Sequence, residues 1–307
     1  MFFRNLQIYQ ISVAKLRLIQ EKMESMLLAH AFQPCTSMDM ISSGWISPCD
    51  NGKFVHHVDR QLLLRFETEK KLLPASVITH FTKMKACEIE EEQGFKPGRK
   101  HMKELKERVT DELLPRAFSL TGSVLVWIDS VNGWLIFNTS SPTKSDEIIK
   151  MFLKSFNDIG LESVRVKISP QQAMTSWLLG NEAPKGFTID QDTELKAHTE
   201  DKATVRYVRH SLDADDVHRH IAAGKECTKL ALTWNDRISF VLTDTLAIKS
   251  IKPLDILSGE ADAQPRDEGE RFDADFILMA GELSKMLDDL FFALGGLILE
   301  DSDEKAA

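Results

Sequence analysis

Apolar positions along the chain switch between a helical period near 3.6 and a strand period of 2, and the switches mark out its elements. Phe3, Leu6 and Ile8 partly alternate with polar residues, so Met1 to Tyr9 predicts a first strand. Lys15 to Ala31 predicts a helix with Leu16, Ile19, Met23, Met26 and Leu27 inward. Phe32 to Pro48 reads as loop, its Gly44-Trp45-Ile46 setting a buried aromatic at the edge of a core. Phe54 to Val58 and Gln61 to Thr68 read as strands. Adjacent His56 and His57 then point to opposite strand faces, which is poor for joint metal ligation.

Two helical patterns fill Pro74 to Phe118, split by the breaker Gly94-Phe95-Lys96-Pro97-Gly98. The first predicts Val77, Phe81 and Met84 on one buried face; the second predicts Met102, Leu105, Val109 and Leu113. A short Gly/Pro loop between such helices predicts an antiparallel helical hairpin, an arm on the rest of the fold. Pro115 ends the second helix.

Val124 to Asp129 and Trp134 to Thr139 flank Asn132-Gly133, a β-hairpin signal. Lys144 to Phe156 predicts a helix, Ser163 to Ile168 a strand, and Pro170 to Leu179 a helix ending at Gly180. The polar stretch Gly180 to Lys185 is the best domain boundary. Beyond it, Thr204 to Arg209 predicts a strand. Asp213 to Ala223 predicts a helix with Asp213 as N-cap. Thr228 to Trp234 and Arg237 to Leu242 predict a hairpin about Asn235-Asp236, and Ala247 to Ile251 a further strand. Leu257 to Gly269 reads as linker. A long helix follows over Ala274 to Leu294, with Phe276, Met279, Leu283, Met286, Leu290 and Leu294 inward and Gly295-Gly296 as its stop. Strands mixed with helices and hairpins predict an α+β fold with mixed or antiparallel sheets.

Composition changes this picture little. A 307-residue chain with 43% hydrophobic residues can build an ample core. The apolar run Leu290 to Leu299 is about half of what a membrane span requires. No signal peptide is recognisable, and the expectation is a cytoplasmic protein. Cys35, Cys49, Cys87 and Cys227 are scattered without a C-x-x-C pair, so neither a disulfide framework nor a zinc site is indicated.

Charge changes the picture more. The net charge of −9 argues at first against a nucleic-acid partner. Yet fifteen acidic and four basic residues lie from Asp255 to the last residue, which leaves the preceding chain near +2. What a DNA partner meets is the local field. Arg99, Lys103 and Lys106 share one stripe of the second arm helix, and Lys96 and Lys100 carry the charge to the tip. Arg116 lies at the foot of the arm. This stripe reads as a grip on a polyanion; the competing reading is a solvated face partly neutralised by Glu104 and Glu107. A second candidate is Asp201 to His210. There Arg206 shares a strand face with Val208, while Tyr207 and Arg209 share the other; an ordinary exposed strand face is the alternative.

Catalytic motifs are scarce. No Walker A, G-x-G-x-x-G or G-x-S-x-G pattern occurs. Asp273 with Asp275, and Asp213, Asp215 and Asp216, could hold a metal for nuclease work, but acidic residues at a helix start are ordinarily caps. His218 and His220 do not share a helix face.

Several segments together resemble the RdgC family of recombination-associated proteins. They are Arg271-Phe272-Asp273-Ala274-Asp275-Phe276-Ile277-Leu278-Met279 with Gly281-Glu282-Leu283, and Leu113-Leu114-Pro115-Arg116-Ala117-Phe118. Trp127-Ile128-Asp129 and Val131-Asn132-Gly133 follow the same pattern. So do Ala31-Phe32-Gln33-Pro34-Cys35 with Gly44-Trp45, and Ala223-Gly224-Lys225 with Thr228-Lys229-Leu230-Ala231-Leu232. They occur in the family's order along nearly the whole chain. The resemblance implies a non-enzymatic, sequence-nonspecific binder of duplex and single-stranded DNA in the bacterial cytoplasm and nucleoid. It implies a ring-shaped homodimer with a positive central hole, restraining RecA-promoted recombination, with no membrane partner and no cofactor. It implies a central α+β domain over 1–73 and 119–179, a helical tip over 74–118, and an α+β base over 180–307 that ends in an acidic tail. It also marks Phe118 as a ring contact, and Arg209 with His210 as positions of ring or DNA contact.

Overall fold

The structure, a computed structural model, describes residues 2–49, 51–197, 202–210, 215–254 and 267–298. In chain order the elements begin with β1 (Gln7–Gln10), α1 (Val13–Ile19), α2 (Met23–Leu28), β2 (Ile41–Ile46), β3 (His56–Val58) and β4 (Gln61–Lys71). The arm follows as α3 (Ala75–Gln93) and α4 (Arg99–Leu113). Then come β5 (Ser119–Asp129), β6 (Trp134–Phe137), α5 (Pro142–Ser155), β7 (Glu162–Ser163), α6 (Pro170–Gly180), β8 (Phe187–Ala197) and β9 (Thr204–Tyr207). The last are α7 (Asp215–Ala222), β10 (Lys225–Trp234), β11 (Ile238–Thr243), β12 (Ile248–Pro253) and α8 (Glu268–Ala293). The fold is α+β, and the described strand pairings are antiparallel. No described helix is long and apolar enough to cross a membrane.

The described residues divide into two units. One comprises those of Met1–Glu21, His56–Leu63 and Val126–Ala307; the other comprises Lys22–Val55 and Leu64–Leu125. In the first, β1 is paired on one side with β6 and on the other with β7. A second sheet runs in the order β12-β11-β10-β8-β9. Helix α8 and its C-cap bury the predicted Phe276, Met279, Leu283, Met286, Leu290 and Leu294, and Leu287 and Phe291 besides. It begins a turn and a half earlier than predicted, because Asp267 is the true cap: its Oδ1 accepts from the Glu270 N–H at 2.7 Å. Asp273 and Asp275 therefore lie inside the helix, and Asp273 Oδ1 accepts from His56 Nε2 at 2.7 Å.

Asp129 shows how a tight turn is fixed from within this unit. It is fully buried, and its carboxylate accepts the Val131 N–H at 2.9 Å, the Asn132 amide at 2.8 Å and the Ser284 hydroxyl at 3.0 Å. Gln61 links that carboxylate to the Trp127 indole N–H. The Asp129 carboxylate thus meets donors on both oxygens, which is what makes burying the charge tolerable. Gly133 closes the turn with φ 74°, and a Cβ there would lie 2.8 Å from the Ile11 carbonyl oxygen.

In the second unit β2 pairs with β4. The segment from Phe32 to Pro48 was expected to be loop, and β2 lies inside it. Its Gly44 lets the Phe32 segment lie against β2, since a Cβ there would be 2.5 Å from the Phe32 backbone. That close approach lets Phe32 N–H donate to Trp45 O at 2.8 Å and Trp45 N–H donate to His30 O at 3.0 Å. Trp45 is buried as predicted, with Phe66 edge-on at 5.6 Å.

Other expectations need correction. The single helix over Lys15 to Ala31 is interrupted by a 3-10 turn at Gln20–Lys22. Of Ser163 to Ile168 only Ser163 lies in a strand, the two-residue β7, and Val166 forms a lone bridge to Leu297. Strand β8 was not anticipated. The Asp213 cap and the acidic tail from Glu300 to Ala307 fall outside the described residues, as does most of the linker.

Candidate nucleic-acid interface

The arm is built as the Gly/Pro breaker predicts. Gly94 ends α3 in the left-handed conformation, φ 77°, and its N–H donates to Glu90 O at 2.8 Å. Gly98 opens α4, where Met102 N–H returns to Gly98 O. Leu105 and Val109 are buried, and Met102 and Leu113 half-buried, as predicted for α4.

The inner face of α3 differs from the prediction. Ile78 and Thr82 are buried, whereas Phe81 and Met84 are 39% and 47% exposed. Thr82 tolerates burial because its hydroxyl donates to Ile78 O at 2.7 Å. One turn on, Lys85 reaches Glu112 of α4 in a short ion pair. That bond, with further help from Arg108 and Arg116, holds the Glu112 carboxyl below its ordinary range. Polar residues that satisfy themselves locally thus displaced the apolar line the spacing favoured.

Lys96, Arg99, Lys100, Lys103, Lys106 and Arg116 are all exposed. Lys100 and Lys103 reach Glu104 and Glu107 only at 4.0 and 3.9 Å, exposed pairs that contribute little. The first turn of α4 carries no acid and begins Arg99-Lys100-His101. Cations at the positive end of a helix cost about 0.3–1 kcal/mol each. The tip therefore gives up stability and gains positive potential. Glu88, Glu90, Glu91 and Glu92 crowd the last turns of α3, so the end of α3 is acidic and the start of α4 basic. This segregation was legible as E-I-E-E-E, and the sequence reading weighed only Glu104 and Glu107.

At the foot of the arm the 3-10 turn Leu114–Arg116 leads to Phe118. Phe118 is 84% exposed, and its carbonyl accepts the Leu72 N–H at 2.7 Å. Leu72 and Leu120 are exposed as well, so three large apolar side chains face solvent around one joint.

The remaining predicted residues lie in the other unit. Arg206 on β9 stands opposite Glu194 on β8 and bonds it at 2.5 Å. Glu194 also takes the Lys229 ammonium at 2.9 Å and the Thr228 hydroxyl. Burial alone would raise the Glu194 carboxyl, but these three donors together bring it below its ordinary range. Arg206 is thus already engaged. The face pattern expected for Arg209 fails, because β9 ends at Tyr207 and Arg209 turns left-handed, φ 52°. Its N–H is held by Asp192 Oδ1 at 2.7 Å. His210 N–H donates to Gln191 O, and its ring lies 5.6 Å from Tyr207. Sequence reasoning missed Lys252, which lines a groove with Arg209.

Among the described residues no three His, Cys, Asp or Glu side chains converge on a point that could hold a metal ion. Fold and charge define the class: an α+β protein bearing a charged helical arm with an exposed aromatic at its foot. A family model described as "Putative exonuclease, RdgC" matches residues 1–297. The curated "Recombination-associated protein RdgC" of Herminiimonas arsenicoxydans is 58% identical over 296 residues, 96% of this chain and 98% of that protein. The proteins of that name from Cupriavidus necator and Paraburkholderia phymatum are 55% and 50% identical, covering 96% and 100% of this chain and 99% and 100% of theirs. The chain belongs to the RdgC family.

Proposed function

We propose that the protein binds duplex and single-stranded DNA without sequence preference, closes around it as a homodimer, and by occupying it restrains a RecA-type recombinase. The observation that carries the DNA contact is the exposed row Lys96, Arg99, Lys100, Lys103 and Lys106. Such residues neutralise phosphates, so affinity falls steeply with salt and is indifferent to sequence. Arg116, Arg206, Arg209 and His210 are further contacts in this reading, with Arg206 the weakest because it is held by Glu194. Phe118 is the closing contact between copies, since a side chain so exposed contributes little to its own fold. The division into central domain, tip and base is part of the same proposal, as are cytoplasmic and nucleoid location.

The test is binding to an unrelated linear duplex and to the same duplex as a closed circle, across a salt series. Sequence-independent binding with slow release from the circle is expected. No binding at low salt overturns the reading.

The proposal contains no catalytic step, although the family model's description speaks of an exonuclease. Labelled DNA incubated with magnesium or manganese should stay intact. Cutting that is lost in Asp273→Asn would replace this reading with a nuclease. The acidic end of α3 and the basic start of α4 favour a second reading, in which the basic turns of one copy lie on the acidic turns of another. Salt would then dissociate the dimer before it releases DNA.

A further inference from the structure

The five-stranded sheet carries an open groove of about 530 Å³, within the range of small-ligand sites. Ala231 of β10 lines it, while its strand neighbours Leu230 and Leu232 point to the other, buried face. Two bulges meet there. Between β8 and β10 the register passes from Thr193↔Leu230 to Ile189↔Leu232, so Asp190, Gln191 and Asp192 stand against Ala231 alone. Between β11 and β12 it passes from Ser239↔Lys252 to Val241↔Lys249, so Ser250 and Ile251 stand against Phe240. Bulges re-aim side chains and gather beside binding sites. Arg209 and Ser250, which both line the groove, are left-handed, with φ 52° and 55°. Such backbone in non-glycine residues clusters at functional sites.

Strand order sets the polar groups of the groove in a line. Ser250 and Lys252 stand on β12, and Asp190 and Asp192 on β8, three strands across in the order β12-β11-β10-β8. At ordinary strand spacing that separates the two backbones by about 14 Å, which the long Lys252 side chain shortens. Arg209 follows beyond β8, its N–H on Asp192 Oδ1 at 2.7 Å. The sequence across the groove is therefore ammonium, carboxylates, guanidinium. Asp190 Oδ2 accepts the Thr233 hydroxyl at 2.9 Å, so one oxygen of each carboxylate lacks a partner among the described residues. Neither cation is ion-paired to either carboxylate among those residues, so the groove does not neutralise itself. Burial, with Asp192 nearby, pushes the Asp190 carboxyl above its ordinary range, and an incoming hydroxyl donor would relieve it.

We propose that this groove binds a free 5′-ribonucleotide, with its phosphate on Lys252 and the Ser250 hydroxyl, its ribose hydroxyls on Asp190 and Asp192, and its base stacked on the Arg209 guanidinium. Phosphate, sugar and base follow one another along a nucleotide in the order in which their partners follow one another across the groove. Carboxylates are the acceptors that hold ribose hydroxyls in dinucleotide sites. A guanidinium plane stacks on any base, so the site reads the sugar and leaves the base unread. Deoxyribose lacks the 2′ donor. Within a strand the 3′ oxygen is esterified and cannot donate to the second carboxylate, which favours the free nucleotide. A bare phosphate leaves both carboxylates unanswered. The site stands apart from the DNA reading, although a bound ribonucleotide and DNA would compete for Arg209.

The experiment is calorimetric titration without DNA, at mildly alkaline pH. The probes are adenosine, cytidine and deoxyadenosine 5′-monophosphates, inorganic phosphate and oligo-U. The two ribonucleotides should bind alike, and the deoxynucleotide about tenfold more weakly, the loss of one hydrogen bond to a charged acceptor. Asp190→Asn, which keeps an acceptor for the Thr233 hydroxyl, should bring the ribonucleotide towards the deoxynucleotide. Lys252→Gln should weaken both alike and leave their ratio standing. Thermal melting should hold in both variants. No ribonucleotide binding at millimolar concentration, equal affinity for ribose and deoxyribose, or phosphate binding as tightly as the nucleotides would each overturn the site. Variants that leave ribonucleotide binding unchanged would do the same, and oligo-U binding more tightly than the monophosphates would give the groove to an RNA strand instead. The DNA reading stands or falls on its own salt series.

Discussion

Helix α8 and the arm are both amphipathic by sequence, and they use that property differently. Helix α8 buries nine residues, including Glu282, whose carboxylate meets Arg237 at 2.7 Å and Lys285 at 3.3 Å. Each arm helix buries two. Helix α8 is therefore held by packing, and its polar exception is paired. The arm is held by a thin seam plus the Lys85–Glu112 bond, and the rest of its surface is given to charge. A helix whose surface is spent in this way is built for a partner more than for a core.

The largest effect should come from the core side of the comparison. Leu283→Ala should cost about 2–5 kcal/mol in denaturant unfolding, because the residue is completely buried. Phe81→Ala on α3 should cost about 1 kcal/mol or less, although a larger side chain is removed. The sequence pattern alone ranks these two as equals. A Phe81→Ala loss as large as that of Leu283→Ala would restore the original face assignment of α3 and break the contrast.

Next in size are the effects on binding. Replacing Lys103 and Lys106 together by Ala should reduce the slope of log affinity against log salt by up to about 1.8, if each neutralises one phosphate of a duplex. Stability should barely move, since neither side chain is buried. An unchanged slope would show that α4 does not touch DNA and would favour the pairing of opposed arm helices. Phe118→Ser should leave the melting temperature nearly untouched and weaken dimer formation, measured by sedimentation at several concentrations. An intact dimer with unchanged DNA binding would remove Phe118 from the ring contact.

The same contrast explains what could be read in advance. The stripe of α8 was legible because its apolar positions are continuous over five turns and no competing line exists. The turns at Gly133 and at Asn235-Asp236 were legible because only a few residues accept positive φ, and both members of the second pair do so here. The α3 face was not, since Phe81 and Met84 form the more apolar line and Thr82 can be buried only because its hydroxyl bonds the Ile78 carbonyl, which the spacing does not show. Strand β8 was hidden by its own acids. Asp190, Asp192 and Glu194 look like loop until Thr233, Arg209 and Lys229 are placed opposite them. Strand β2 is defined by its pairing with β4, a cross-strand partner no local pattern encodes. Of the site, the cations were legible by type and spacing. That Arg206 is engaged and that Lys252 joins Arg209 are facts of cross-strand register.

The smallest perturbation tests both regions at once through their thiols. Cys227 lies on β10 in the sheet, fully buried, and burial pushes its thiol up to about 12, against the lowering effect of the Thr193 hydroxyl. The thiolate is the reactive form, so at pH 8 on the order of one molecule in ten thousand would carry it at this site. Cys87 lies exposed on α3. Cys35 falls between them: burial and the Glu69 carboxylate raise its thiol, and its Sγ is 3.5 Å from the Glu69 carbonyl oxygen. A thiol reagent at pH 8 should therefore modify Cys87 first and Cys227 last in the native protein, whereas all four cysteines should react at similar rates in denaturant. Because an elevated pKa favours the protonated form, raising the pH towards 9 should speed Cys227 in proportion to hydroxide without bringing it level with Cys87. Native Cys227 reacting as fast as Cys87 would mean that the sheet opens as readily as the arm, and the division between a packed core and a surface built for a partner would not hold.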